Sequence, residues 1–436
     1  MSYSNIMKEK LISQINSMKG SLGSFVREPG KDFTRKRELE FEKMMQIILS
    51  MGGKALNSEL LDYFDFNANT VTTSAFVQQR VKILPAAFEH LFREFTDCIG
   101  PLKTFDSYRL LATDGSSLNI ARNPGDAETF YTYKEGSKGY NQLYLNVLYD
   151  LCNNIYVDAC IQPGRMTCER SALIDMLKRS QLDSKTILVA DRGYESFNVL
   201  ANLQEKGCKY VVRVRDINSN CILSTLNLPS DGEFDVKIQL VLTRKNTNMI
   251  KSRPDLYKHI PRRQRFDFFT QENDSYAITF RVVRVMLENG SYEALITNLC
   301  PVLFPMSKIK TIYGLRWGVE TSFRKLKYTI GLTCFHARKK DCIKQEIFAR
   351  LTFYNFCESI VKNTVTNKNN LKYSYQVNFT AAVSIIRRFF RPPRCSLIPL
   401  DVDTLISKYL LPIRPGRAIP RRIVPKSVVS FNYRAA

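Results

Sequence analysis

Hydrophobic positions along the chain follow two different periods. Up to about residue 105 they recur every three or four residues, as on a helix with one buried face. "RELEFEKMMQIILSMGG" is amphipathic and stops at Gly52-Gly53, a common helix end. "TTSAFVQQRVKI" opens on Thr and Ser, good N-cap residues, and "AAFEHLFREF" follows Pro85. These short, basic helices suit a helix-turn-helix-like DNA-binding unit or a plain helical bundle.

From residue 106 the period becomes that of strands. "YRLLATDG" is an apolar run that ends in Asp114. "NQLYLNVLYD" and "IYVDACI" alternate on either side of Asn153-Asn154 and predict a hairpin. A helix from about Glu169 to Gln181 follows, then the buried strand "TILVADRGYES" with Asp191 at its end. "SFNVLANLQEKG" reads as a helix and "KYVVRVRD" as a strand. This order predicts an α/β fold, a mixed sheet with helices on its faces.

Asp191 and Glu320 are 129 positions apart, too far for a loop inside a compact domain. The interval has strand signals of its own in "FDVKIQLVL", "RFDFFT", "YAITFRVVRVM" and "YEALIT", with Asn289-Gly290 as a hairpin turn. It predicts a β-rich insertion over 216–300. Between Arg244 and Arg265 it holds eight Lys or Arg against one acid, Asp255, with Tyr257, Phe266, Phe268 and Phe269 in or beside the run. Bases mixed with aromatics suit a DNA-facing surface, and equally a solvated loop. Beyond it, "CIKQEIFARLTFYNFCESIV" is a helix expected to pack on the sheet, and "FTAAVSIIRRFF" is a shorter one. The expected division is a helical N-terminal DNA-binding or accessory domain (1–105), a catalytic core (106–215 and 301–412), the insertion, and a basic, extended C-terminal arm (413–436).

"YGLRWGVETSFRKLK", Tyr313 to Lys327, carries two stripes if it is one ideal helix turning about 100° per residue. Ile312, Leu315, Val319, Phe323, Leu326 and Ile330 form the core stripe, and Tyr313, Arg316, Glu320 and Lys327 the polar row beside it. The bland reading of that row is a surface helix with i,i+4 ion pairs, each contributing about 0.2–0.5 kcal/mol.

Charge changes the picture. The 436 residues contain 64 Lys plus Arg against 41 Asp plus Glu, a formal net charge of +23. That excess implies a polyanionic partner, nucleic acid first, and no lipidation motif or basic amphipathic helix favours a membrane. No signal-peptide core and no apolar run of about 18 residues appears, so a cytoplasmic protein without a membrane span is expected. The eleven cysteines include no Cys-x-x-Cys pair and suit reduced thiols, and His90, His259 and His336 are too scattered for a zinc site.

If the strands ending in Asp114 and Asp191 are neighbours, both carboxylates emerge at one sheet edge, where Glu320 can join them. Two carboxylates about 4 Å apart repel by roughly 4 kcal/mol at an effective dielectric near 20. Divalent cations remove that cost, and an all-oxygen set suits two Mg²⁺ ions, with Mn²⁺ a possible substitute. Such a pair serves phosphoryl transfer, with the neighbouring bases holding phosphates.

Tyr313, Arg316, Glu320 and Lys327 fit Tyr-x2-Arg-x3-Glu-x6-Lys at every position. With "ATDGS" and "VADRGY" preceding it in order, the chain resembles the DDE transposases of bacterial insertion sequences, specifically the insertion sequence four family, over about 106–340. The resemblance implies a ribonuclease H-like core interrupted by a β-strand insertion. It implies two Mg²⁺ held by Asp114, Asp191 and Glu320, cleavage of double-stranded DNA at the element's terminal inverted repeats, and joining of the 3′ hydroxyl to target DNA. It further implies a homodimeric synaptic complex, at the bacterial nucleoid. Tyr313, Arg316 and Lys327 would contact phosphates, with Arg192 nearby. Some relatives that cleave through a hairpin use a Trp in the insertion to receive a flipped base. Here Trp317 lies beside Arg316 instead and is expected to pack, so hairpin chemistry stays open. The alternatives are a nuclease of the same fold that does not join strands, and a non-catalytic DNA-binding derivative.

Overall fold

In the computed structural model, residues 2–132, 138–217, 219, 222–224, 226–364, 374–392, 400–413 and 432–433 are described. The chain opens with α1 (Tyr3–Ser17), α2 (Phe41–Ser50), α3 (Leu56–Tyr63), α4 (Thr73–Arg80) and α5 (Pro85–Asp97). Thr72 caps α4 through its side chain, and Pro85 sits in the first turn of α5, where its missing N–H costs nothing.

Then come β1 (Arg109–Ile120), β2 (Phe130–Tyr131), β3 (Tyr140–Asp150), β4 (Ile155–Pro163), α6 (Glu169–Arg179), β5 (Thr186–Ala190), α7 (Phe197–Glu205) and β6 (Lys209–Val214). The next stretch contains β7 (Phe234–Thr243), α8 (Asn248–Ser252), β8 (Tyr257–His259), β9 (Ser275–Met286) and β10 (Tyr292–Thr297). Among the described residues, β1 to β10 form one mixed sheet in the order β2-β3-β1-β5-β6-β10-β9-β7-β8, with β4 also on β3. β1, β5 and β6 are parallel neighbours, and β10 joins β6 antiparallel, so the strands after residue 216 extend the same sheet. β5 is buried at every position, as its uninterrupted "TILVA" requires of a strand covered on both faces.

"RFDFFT" is not a strand. Phe266 is buried, its ring lies 4.4 Å from that of Phe269 and 5.4 Å from that of Tyr276, and these aromatics pack into the core shared with α6 and α7.

The chain continues through α9 (Met306–Leu315), α10 (Trp317–Arg324), a π-helical segment (Lys325–Ile330), β11 (Cys334–Phe335), α11 (Lys340–Asn363), β12 (Tyr375–Val377), α12 (Phe379–Phe390), α13 (Val402–Lys408), β13 (Leu410–Pro412) and β14 (Asn432–Tyr433). α11 is buried over most of its length and fixes the N-terminal helices to the sheet. Phe92 and Phe95 of α5 pack against its Phe348 and Phe356, while its Tyr354 reaches the Tyr149 hydroxyl on β3 at 3.1 Å. The C-terminal arm lies outside the described residues except Ile413 and Asn432–Tyr433, of which the latter pair with β11.

Candidate active site

Alternation along β1 divides its side chains between two layers. Leu110 and Ala112 share cores with α9 and α10, whereas Leu111 shares a core with α6 and α7. Asp114 therefore faces α10, and Gly115 faces α6. The parallel pairing of β1 with β5 ends at Thr113 and Ala190. Asp114 and Asp191 are the next residues of each strand, so both emerge at the same edge. Asp114 is not the end of its strand, however. β1 runs on to Ile120 against β3, whose long hairpin carries it past the shorter β5.

Asp191 caps the turn that follows β5 by accepting the Arg192 N–H at 2.6 Å. The Tyr313 hydroxyl donates to the same oxygen at 3.5 Å, and Arg213 of β6 stands 3.9 Å from it. Arg213 also binds Glu293 of β10 at 3.0 Å. Sequence reading missed both residues, although a charge inside "KYVVRVRD" and another inside "YEALIT" were visible signs.

The segment carrying Glu320 is not one ideal helix. It tightens at Arg316, whose N–H bonds the Tyr313 carbonyl, and loosens into a π-helix from Lys325. The polar row is consequently not a surface stripe. Tyr313 is buried and Arg316 is only 5 % exposed, while Leu315 of the expected core stripe is 42 % exposed. Trp317 is 55 % exposed, so it is not the packing residue expected. Lys327 reaches the Ser117 carbonyl on β1 at 2.9 Å and ties the π-helical segment to the strand of Asp114. Arg192 is exposed at the rim.

Arg316 is the hub of the site. Its Nη2 donates to Glu320 at 2.8 Å, and its charge also acts on Asp114 and Asp191. Burial pushes the Asp114 carboxyl up to about 6, and Glu320 and Glu169 push the same way, against the Gly115 N–H and Arg316. Burial likewise raises the Tyr313 hydroxyl. Among the described residues, no three His, Cys, Asp or Glu side chains form a group that could hold one metal ion as they stand. The guanidinium, bonded to Glu320 and acting on both aspartates, supplies compensating charge in this structure.

The profile described as transposase DDE domain matches residues 106–356, more than half the chain. The chain belongs to the DDE-domain transposases. Over 94 % of its own length and 94 % of its relative's, this transposase is 21 % identical to the transposase InsG for insertion sequence element IS4 of Escherichia coli K12. That relationship agrees with the insertion sequence four resemblance carried by the motifs. A solved piggyBac transposase synaptic complex with hairpin DNA aligns with 95 % of this transposase and 87 % of that chain, at 11 % identity and a TM-score of 0.45. No described helix is long and apolar enough to cross a membrane.

Proposed function

We propose that this transposase binds its element's ends as a homodimer, cleaves them, and joins the 3′ hydroxyl to target DNA by metal-dependent phosphoryl transfer on a ribonuclease H-like core. We assign it to the Tyr-Arg-Glu-Lys subgroup, acting at the nucleoid, with a helical N-terminal domain (1–105), a catalytic core (106–215 and 301–412), a β-rich insertion (216–300) whose strands extend the core sheet, and a basic C-terminal arm (413–436). The observation that carries the reading is the emergence of Asp114 and Asp191 from neighbouring parallel strands, with Glu320 bonded to the Arg316 whose charge acts on both.

The donors fit a hard divalent cation: they are all carboxylate oxygens, and burial leaves Asp114 under-compensated even beside an arginine. Asp114, Asp191 and Glu320 would hold two Mg²⁺, or Mn²⁺ in their place, with Glu320 released from Arg316. When bound, such ions activate the attacking water or 3′ hydroxyl and stabilise the leaving oxygen. Arg316, freed from Glu320, then has its donors for a phosphate oxygen. Tyr313, whose hydroxyl stands 3.5 Å from Asp191, would contact the phosphate beside Arg316, and Lys327 and Arg192 extend positive charge along the DNA path.

The test is incubation with the element's own ends and Mg²⁺, mapping products by strand, alongside pre-cleaved ends with a target plasmid. Joined products are expected. Cleavage without joining would reduce the assignment to a nuclease, and end binding with neither reaction would reduce it to a DNA-binding derivative.

A further inference from the structure

Behind the two aspartates, on the α6 side of the sheet, lies a pair that the proposed chemistry does not use. The Tyr144 hydroxyl donates to Glu169 Oε1 at 2.5 Å. Tyr144 sits on β3 opposite Ser117, which places its ring diagonally over Gly115. A methyl group on Gly115 would drive into that ring well inside van der Waals contact. Glu169 opens α6, and a methyl group on Gly193 would stand 2.9 Å from its Oε2. The next residue, Arg170, donates from Nε to the Gly193 carbonyl at 2.9 Å.

The two glycines therefore have a shared reason. Each follows an aspartate in sequence, in Asp114-Gly115 and Asp191-Arg192-Gly193, and each is the point where its backbone meets one half of the same side-chain pair. β3 and α6 are thereby coupled to both aspartate segments through one hydrogen bond. The Gly115 N–H in turn donates to Asp114 Oδ1 at 2.8 Å, so displacement of Gly115 moves the carboxylate directly.

We propose that Tyr144 and Glu169 are positioning residues that set the separation of Asp114 and Asp191, that Gly115 leaves room for the Tyr144 ring, and that Gly193 leaves the Glu169 carboxylate in its place against Tyr144. The inference rests on the proposed metal-dependent function. Partners that orient metal-holding side chains typically change metal affinity or activity by roughly 10–100-fold when removed.

The test uses the full chain and the variants Tyr144→Phe, Glu169→Gln, Gly193→Ala and the double variant Gly193→Ala/Glu169→Asp. Four readouts are taken: Mn²⁺ binding by calorimetry, Mn²⁺-dependent end cleavage, end binding in chelator, and melting in chelator. Tyr144→Phe and Gly193→Ala are each expected to bind Mn²⁺ and cleave about 10–100-fold less well, and Glu169→Gln, which keeps an acceptor for Tyr144, less severely, with end binding kept in all three. The double variant should lose little more than Gly193→Ala alone, because the shorter acid gives up the same Tyr144 hydrogen bond that the added methyl disturbs. If Gly193→Ala does not fold, Tyr144→Phe, which keeps the ring and loses only the hydroxyl, decides alone. Single variants that match the wild type in Mn²⁺ affinity overturn the inference alone, as does a fall in melting temperature that accounts for every loss. A wild type that binds no Mn²⁺ overturns the proposed function and this inference with it.

Discussion

Glu346 and Asp114 both meet arginines, and folding moves them in opposite directions. Glu346, deep in α11, accepts from Arg80 Nη1 at 2.9 Å and from the His336 N–H at 3.0 Å, with the His336 ring at 3.2 Å and Arg350 at 4.0 Å. Burial alone would raise its carboxyl, but Arg80, His336 and Arg350 outweigh burial and hold it at about 2. Asp114 has Arg316 as its one opposing arginine, shared with Glu320 and Asp191, and rises to about 6. A buried acid that is fully hydrogen-bonded fixes structure, here the docking of the N-terminal helices onto α11. One left under-compensated at a sheet edge is a place for another cation.

The largest effect expected from breaking this contrast lies at the edge. Asp114→Asn, Asp191→Asn or Glu320→Gln should each lower end cleavage by a factor on the order of 10³ while leaving end binding in chelator intact or tighter. Strand-mapped cleavage paired with gel shifts measures both. Next in size, Glu346→Gln should cost roughly 3–5 kcal/mol of stability, because Arg80 and Arg350 lose their buried counter-charge. Denaturant unfolding reads that cost, and metal binding should be unaffected.

The pH dependence sharpens the comparison, since the two acids have opposite signs. Glu346, depressed on folding, stabilises the native state above its ordinary value of 4.5, and the contribution is lost as pH falls toward about 2. Asp114, raised on folding, contributes stability below its ordinary 3.8 that is lost as pH rises through about 6 in the metal-free protein. Melting curves in chelator should show Asp114→Asn flattening the higher window and Glu346→Gln the lower one. The smallest effect belongs to the rim: Arg192→Ala or Lys327→Ala should each reduce the log–log salt slope of end binding by about 0.9, as expected for one phosphate contact. An unchanged slope would remove that residue from the DNA path.

Much of this was legible because it is local. Strand periodicity put Asp114 and Asp191 at the ends of two apolar runs, which the structure pairs up to the residue before each aspartate, and the apolar positions Val319, Phe323, Leu326 and Ile330 gave the buried side of the segment that carries Glu320. What stayed hidden depends on tertiary packing. No residue in "KLKYTI" announces a π-helix, and its wider turn voids any angle computed for Lys327 on an ideal helix. "RFDFFT" has strand composition but finds no strand partner, and its aromatics collapse on one another. Tyr144 and Glu169 come from different elements 25 positions apart, so no spacing rule links them.

On the proposed reading, the Asp114 edge is poised for a divalent cation and the Glu346 cluster is complete without one. The direct test is the rise in melting temperature on adding Mn²⁺ at pH 7.5–8 to the wild type, Asp114→Asn and Glu346→Gln, each compared with its own chelated sample. A rise is expected in the wild type and in Glu346→Gln, and none in Asp114→Asn. A rise retained in full by Asp114→Asn would contradict that reading.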